Sequence, residues 1–497
     1  MSAYPYSFMD VASAVPSPQH ILRKAICLMS SSLEGYRGEA VDMTRSQQDF
    51  DIDSTTGFFP SQPIPRLSGS YLKWEEALAY ALANISLGGM FSEDATQHHQ
   101  AEEWRLEIYN KVNIRMVLMK GREANLTNCH QWPVLSIDDL LPDMNKLRRA
   151  HLVLAWLVHI YVHSLPETEG QEPKRIPASL AVPLVQVSRQ LGIAPVLTFA
   201  DTVLWNWELI NPEKPVTIDN MRFLHAFSGT EDELSFYRVS ATVELHGVQI
   251  LEIIDGYNNL RNLHDLTSIS RISRDLGKLA VIIEELTRIM QSARPVVDPH
   301  VFYWQIRPWF EGSDAQGPTG PGWIYEGVKD SHSLDLSGPS AGQSTVMHAL
   351  DVFMDIDHKL RQRRSPAPSE ENKRADHGFM ERMRRYMPGK HRQYLEHLEN
   401  TPQSIRELAQ STPVLREPYN VAVMALKKLR DMHMRIACLY IITMSRTSPV
   451  PAACPASKML ANMEKKRKAD GPTRGTGGTE LAVLLKAGRD ATRRAVL

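Results

Sequence analysis

Cysteine is scarce in this chain, with four in 497 residues: Cys27, Cys129, Cys438 and Cys454. No two have CxxC spacing, so neither a disulfide framework nor a thiolate zinc cluster is on offer, and a reducing compartment is expected. Charge of one sign is lacking as well. The 56 basic and 57 acidic side chains leave a formal net charge of −1, which gives no field that would draw nucleic acid or an anionic membrane. Long apolar runs are also missing. The most apolar stretch, 151–165, is interrupted by His159 and His163 and is too short to cross a bilayer. Residues 1–20 lack the basic start and apolar run of a secretory signal. The expectation is a soluble, cytoplasmic, monomeric protein that acts on a small molecule in a buried pocket, with no nucleic-acid or membrane partner.

Strand-like alternation is rare, and what takes its place is helical. Apolar residues recur at helical spacing over 72–94, 101–119, 145–164, 234–254, 264–292, 345–362 and 415–444, which predicts an all-α fold. Prolines gather between these stretches, as connections require. The polar, proline-bounded segment 166–177 reads as a linker between a smaller N-terminal α-rich domain, 1–165, and a larger helical domain, 178–497. The Gly-, Ser- and Pro-rich segment 311–340 predicts irregular chain that wraps a site. Two charged loops, 361–376 and 462–470, read as solvated.

Within 415–444, Leu426, Leu429, His433, Ile436 and Tyr440 share one helical face, so the His433 imidazole points into apolar surroundings. Such a histidine is ordinarily a core residue satisfied by a hydrogen bond, and it is also what an iron ligand looks like. Three further segments have the same double character. Gly475-Thr476-Gly477-Gly478-Thr479 permits close backbone approach to a ligand, or is a flexible linker. Phe302-Tyr303-Trp304-Gln305-Ile306-Arg307 sets aromatics beside a guanidinium, which suits an aromatic carboxylate and equally suits core aromatics with a surface arginine. Ser340-Ala341-Gly342-Gln343-Ser344 leaves room for something flat, or simply begins a helix.

Taken in order, PVLTFADTVLWNW (195–207), SFYRVS (235–240), FYWQIR (302–307), IYEG (324–327), SAGQS (340–344), MRRYMPGKHRQYL (383–395), LRDMH (429–433) and GTGGT (475–479) resemble the indoleamine 2,3-dioxygenase family. The similarity runs from about residue 176 to the C-terminus, and the loop insertions resemble those of a fungal-type member. It implies a large helical domain that binds haem b, with dioxygen as co-substrate, and cleavage of the indole C2–C3 bond of L-tryptophan to N-formylkynurenine. That reaction would serve tryptophan catabolism, the kynurenine pathway and NAD biosynthesis. By the same resemblance His433 is the iron ligand, Arg430 approaches a haem propionate with Asp351 as its acidic partner, and Ser340 and Ala341 lie along the haem. Phe236 and Ser240 would line the indole pocket and Phe302 and Tyr303 its entrance. Arg307 would hold the substrate carboxylate, and Thr476, Gly477 and Gly478 would close over the substrate. His358, His377 and Cys454 are conceivable iron ligands set aside because they border charged or proline-flanked loops.

Some positions depart from the family pattern. Phe199, read as a substrate contact, stands where many members have tyrosine, Pro339 replaces a glycine, and Tyr303 replaces a phenylalanine. These departures bear on substrate range. Two alternatives therefore stay open: the same haem pocket acting on another indole in secondary metabolism, or a haem-binding signalling or interaction protein with little turnover. Nothing in SFYRVS offers a strong base, which suits a reaction in which the protein contributes orientation, a dry cavity and charge recognition.

Overall fold

A computed structural model describes residues 49–87, 95–109, 132–166, 172–315, 320–356, 358, 378–447, 474–476 and 480–497. The expectation of an all-α fold holds. The described helices are α1 (Leu72–Asn84), α2 (Ala95–Tyr109), α3 (Met144–His163), α4 (Ala178–Leu191), α5 (Glu231–His246), α6 (Val248–Asn258), α7 (Leu266–Gln291), α8 (Thr345–Phe353), α9 (Phe379–Arg384), α10 (Gly389–Glu399), α11 (Ile405–Ser411), α12 (Pro413–Ala437) and α13 (Leu481–Arg494). Among the described residues, strands are confined to two small pairs. Lys174–Ile176 (β1) runs parallel to Trp323–Tyr325 (β4), and Trp207–Leu209 (β2) antiparallel to Met221–Phe223 (β3). The β1 pairing fixes part of the stretch read as a linker against the segment 311–340.

α3 is buried from Leu147 to Val162. Its start is fixed by Asp143, whose carboxylate accepts from the Asn145 and Lys146 amides. A helix buried on all sides must satisfy its own polar groups. Arg149 does so through two 2.7 Å bonds to Glu75, and His151 through a 2.7 Å bond to Asp201. Trp156 stacks on Phe227 with ring centroids 3.8 Å apart. The apolar cluster that surrounds α3 is continuous from Ile52 to Ala495.

The predicted stretch 234–254 is two helices, because the chain bends at Gly247, where an added Cβ would sit 2.4 Å from Val346 of α8. This close approach presses α5 against the start of α8. The longest helices, α7 and α12, pack side by side. α12 ends at Ala437 and the chain continues as a π-helical turn, Cys438–Thr443, which carries Tyr440; its hydroxyl donates to the Val297 carbonyl at 2.7 Å. Two more π-helical turns are Ala200–Leu204 and Phe302–Ile306, and all three supply residues to one cavity. π-turns inside helices are rare and concentrate at functional sites.

Candidate functional site

The π-turns, α5, α8, α12 and α13 enclose a cavity of about 1060 Å³. Ligand pockets commonly occupy about 300–1,000 Å³, so this one has room for a large flat group together with a second small molecule.

One wall is the exposed side of the α12 face anticipated from sequence. Leu429, Arg430, His433, Ile436 and Ala437 all line it. The His433 ring opens on the cavity while protein surrounds it. Burial, with the Arg430 charge beside it, lowers its pKa below 6.5, so the imidazole is neutral near pH 7. Neutrality is what metal ligation requires. Among the described residues no group of three His, Cys, Asp or Glu side chains could hold a metal ion by itself. A single imidazole suits a metal that arrives inside a macrocycle.

The adjoining wall is made of small residues and backbone. Ser340 caps the turn Ala341–Gln343 by accepting from the Gly342 amide, and Ser340, Ala341 and Gly342 all face the cavity. α8 begins directly afterwards and projects His348 and Asp351 to the same side. Asp351 pairs with Arg430, and its second oxygen accepts from His358 Nε2 at 2.7 Å. Burial would raise the Asp351 pKa, but Arg430 and His358 outweigh it and hold it at about 2. That pairing leaves His358 engaged, whereas His433 faces open space. His348 is buried and neutral, with its pKa lowered to about 4 by desolvation, and its Nε2 donates to the Gly342 carbonyl at 2.8 Å.

A further part of the lining is aromatic. Phe236 on α5 and Phe302 on its π-turn have ring centroids 5.0 Å apart, and Phe302 meets Tyr440 edge-on at 5.7 Å. Ser240, one turn beyond Phe236, donates its hydroxyl proton to the Phe236 carbonyl at 3.0 Å. Its oxygen therefore offers the cavity lone pairs rather than a proton. Phe199 lines the same region, with its amide donating to Gln343 Oε1 at 2.8 Å. Tyr303 is not on the cavity wall. The π-turn directs it inward, where it is 6% exposed, and its ring lies 5.5 Å from the Arg307 guanidinium.

Arg307 reaches the cavity with a buried Nε that has no partner. Its Nη1 donates to Glu311 at 2.5 Å and its Nη2 to the Arg474 carbonyl at 2.8 Å. The tail is docked beside it. The Thr476 hydroxyl donates to the Pro339 carbonyl at 2.7 Å, and the Gly338 amide to the Thr476 carbonyl at 3.1 Å. Only glycine fits at 338, where an added Cβ would fall 1.7 Å from the Phe310 carbonyl oxygen. Arg382 pins this part of 311–340, with bonds of 2.7 Å to both Asp314 and Asp335. Gly477 and Gly478, like His377 and Cys454, lie outside the described residues.

Sequence reasoning missed two buried groups on these walls. Glu244 stands one turn beyond Ser240 on α5; it bonds Ser344, its Oε2 has no partner, and desolvation raises its pKa to about 7. The i, i+4 spacing from Ser240 was the available signal. Arg384 also lines the cavity with an unpartnered buried Nε, its Nη2 being held by Glu399 at 2.7 Å.

A neutral imidazole facing open space, a small-residue wall and an aromatic wall leading to a guanidinium are the features that the sequence resemblance implies. The sequence profile of indoleamine 2,3-dioxygenase matches residues 46–495. The chain belongs to the indoleamine 2,3-dioxygenase family. It is 32% identical to mouse indoleamine 2,3-dioxygenase 1 over 73% of this chain and 83% of the relative. With the indoleamine 2,3-dioxygenase of Saccharomyces cerevisiae it shares 30% identity over 86% of this chain and 89% of the relative. It is also similar to 6-hydroxytryptophan 2,3-dioxygenase of Fusarium equiseti, with 25% identity over 90% and 97% of the two chains. As a member of this family it is an oxidoreductase, a dioxygenase that uses haem and dioxygen. The cavity fits that cofactor: of the described histidines that line it, His348 and His358 are hydrogen-bonded and His433 is left to bind, and Ser340 to Gly342 give a surface without bulky side chains. Among the described residues no helix is long and apolar enough to cross a membrane.

Proposed function

We propose that this protein cleaves the indole C2–C3 bond of L-tryptophan with dioxygen, giving N-formylkynurenine, and that it acts as a cytoplasmic monomer in tryptophan catabolism through the kynurenine pathway toward NAD. The observation that carries the reading is the single cavity that joins His433 to Arg307 along an aromatic wall. Haem, when bound, would supply the chemistry that activates dioxygen.

The chain's own residues do the rest. His433 would hold the iron as a neutral ligand, and Arg430, kept in place by Asp351, would meet a propionate. Phe236 and Phe302 clamp the indole ring at its faces, where dispersion and quadrupole contacts orient it. Ser240, its proton committed to the helix, presents an acceptor toward the indole N–H. Arg307 fixes the carboxylate, and Thr476, tied to the Pro339 carbonyl, borders the site. The reaction needs no proton taken from carbon, so none of these roles is that of a general base.

Aerobic incubation of the haem-loaded protein with L-tryptophan and a reductant, followed by acid hydrolysis and kynurenine absorbance, tests the reading. Turnover of L-tryptophan is expected; turnover confined to a ring-substituted indole sinks it. A second reading, the same chemistry on another indole, is favoured by one feature: Phe199, which lines the cavity, stands where many members of the family have tyrosine, so a wall hydroxyl is missing there.

A further inference from the structure

Arg307 faces the cavity, yet two of its three nitrogens are occupied by the protein itself. Glu311 lies four residues on and supplies a carboxylate to Nη1 at 2.5 Å, while the carbonyl of Arg474 takes Nη2 at 2.8 Å. Only Nε has no partner. The Arg307 side chain is 11% exposed and that of Glu311 is 34% exposed, so the pair sits at the rim with the acid on the outer side. The Glu311 backbone is pinned. Its carbonyl accepts from His163 Nε2 at 2.8 Å and its amide donates to the Pro308 carbonyl at 3.3 Å. Burial keeps that imidazole neutral, with its pKa well below 6.5, so the pin does not change charge near pH 7. Beyond this fixed backbone the Glu311 side chain is 34% exposed, so solvent lies on its outer side.

A guanidinium offers a planar fork that binds one carboxylate through two parallel bonds. A second carboxylate on the same fork meets both steric conflict and like-charge repulsion. We propose that Glu311 is a specificity-determining residue: its carboxylate is an internal competitor for the Arg307 edge that a substrate carboxylate takes, so an amino-acid substrate binds by displacing it. The inference rests on the reading of Arg307 as carboxylate anchor. Its cost falls wholly on ligands that carry a carboxylate, because an indole without one leaves the Arg307–Glu311 pair in place. Release of Glu311 also frees Arg307 to choose between ligand and the Arg474 carbonyl, which links the exchange to the tail.

The test is binding to the haem-loaded protein, read by perturbation of the Soret band, with indole-3-propionate as the carboxylate probe and tryptamine as the probe without one. Glu311→Gln keeps shape and removes charge; Glu311→Ser removes both, and haem content confirms that each variant is folded. Both variants are expected to bind indole-3-propionate about tenfold more tightly than the parent, the scale of one charge-assisted hydrogen bond. Tryptamine should bind unchanged. Unchanged or weaker binding of indole-3-propionate overturns the proposal. Weaker binding of tryptamine overturns it too, since Glu311 would then be an ammonium partner. Because the readout is binding, it stands apart from turnover: a parent protein that shows the expected probe pattern but makes no kynurenine from L-tryptophan refutes the proposed substrate and leaves the competition intact.

Discussion

Asp351 of α8 and Arg430 of α12 form a buried ion pair one helical turn before His433, and Arg430 also bonds Thr492 and the Gly488 carbonyl of α13. Three helices thus converge on the charge beside the candidate iron ligand. The Asp351 carboxyl, held at about 2 against an ordinary value of 3.8, gives the folded protein about 2 kcal/mol that depends on pH. Because the folded value is the lower one, this contribution is complete above pH 3.8 and is lost as pH falls through 2. Asp351→Asn is expected to lower the melting temperature and the haem content at pH 7. The gap between parent and variant should narrow as pH drops from about 4 toward 2. Equal gaps across that range, in thermal scans at fixed salt, would show that the pair carries no such linkage.

His433→Ala is expected to abolish the Soret band of the purified protein, and added imidazole should restore it in part by entering the space the side chain leaves. His433 faces the cavity and has no protein hydrogen bond among the described residues, so nothing else depends on its ring. Retention of full haem without imidazole would falsify the assignment.

Glu244 has the opposite linkage. Its folded value, raised by burial to about 7 from 4.5, means that its stabilising state is the protonated one. That contribution is complete below pH 4.5 and disappears as pH rises through 7. Glu244→Gln, which is neutral throughout, should gain on the parent as pH rises from 4.5, reaching roughly 3 kcal/mol above pH 7. Denaturant unfolding at pH 5 and pH 8 reads the difference directly; a variant less stable than the parent at both values contradicts the account.

The helical face of His433 was legible because period-3.6 patterning survives any detail of packing, and the SAGQS turn because small residues and a capping serine are local features. The π-turns were not. One extra residue in a helical turn changes no propensity, yet it sends Tyr303 inward while Phe302 and Arg307 reach the cavity, and it ends the regular α12 spiral before Tyr440. The expected helix 345–362 is described as helix only to Phe353, and Asp355 follows with a left-handed backbone, φ 51°. Glu311 escaped notice for a different reason: its meaning comes from the tail 163 residues later, which Arg307 holds at the same time, and no local pattern encodes such a meeting.

Arg307→Ala is the sharpest test of the substrate. With both terminal nitrogens held by groups a ligand can displace, the guanidinium is placed to meet a carboxylate beside Phe302. A charge-assisted hydrogen bond contributes roughly 1.5–3 kcal/mol, so kcat/KM on L-tryptophan should fall about tenfold to more than a hundredfold. Haem content should not change, because the residue stands on the aromatic wall and His433 on another. Tryptamine, which lacks the carboxylate, should be a poor substrate for the parent and no worse for the variant. Loss of both substrates in equal proportion would mean that Arg307 supports the wall, through the Tyr303 ring beneath it and the Arg474 carbonyl, instead of anchoring the amino acid. Full retention of efficiency on L-tryptophan would move the carboxylate to another cation of the cavity, of which Arg384, with its own unpartnered Nε, is the next to test.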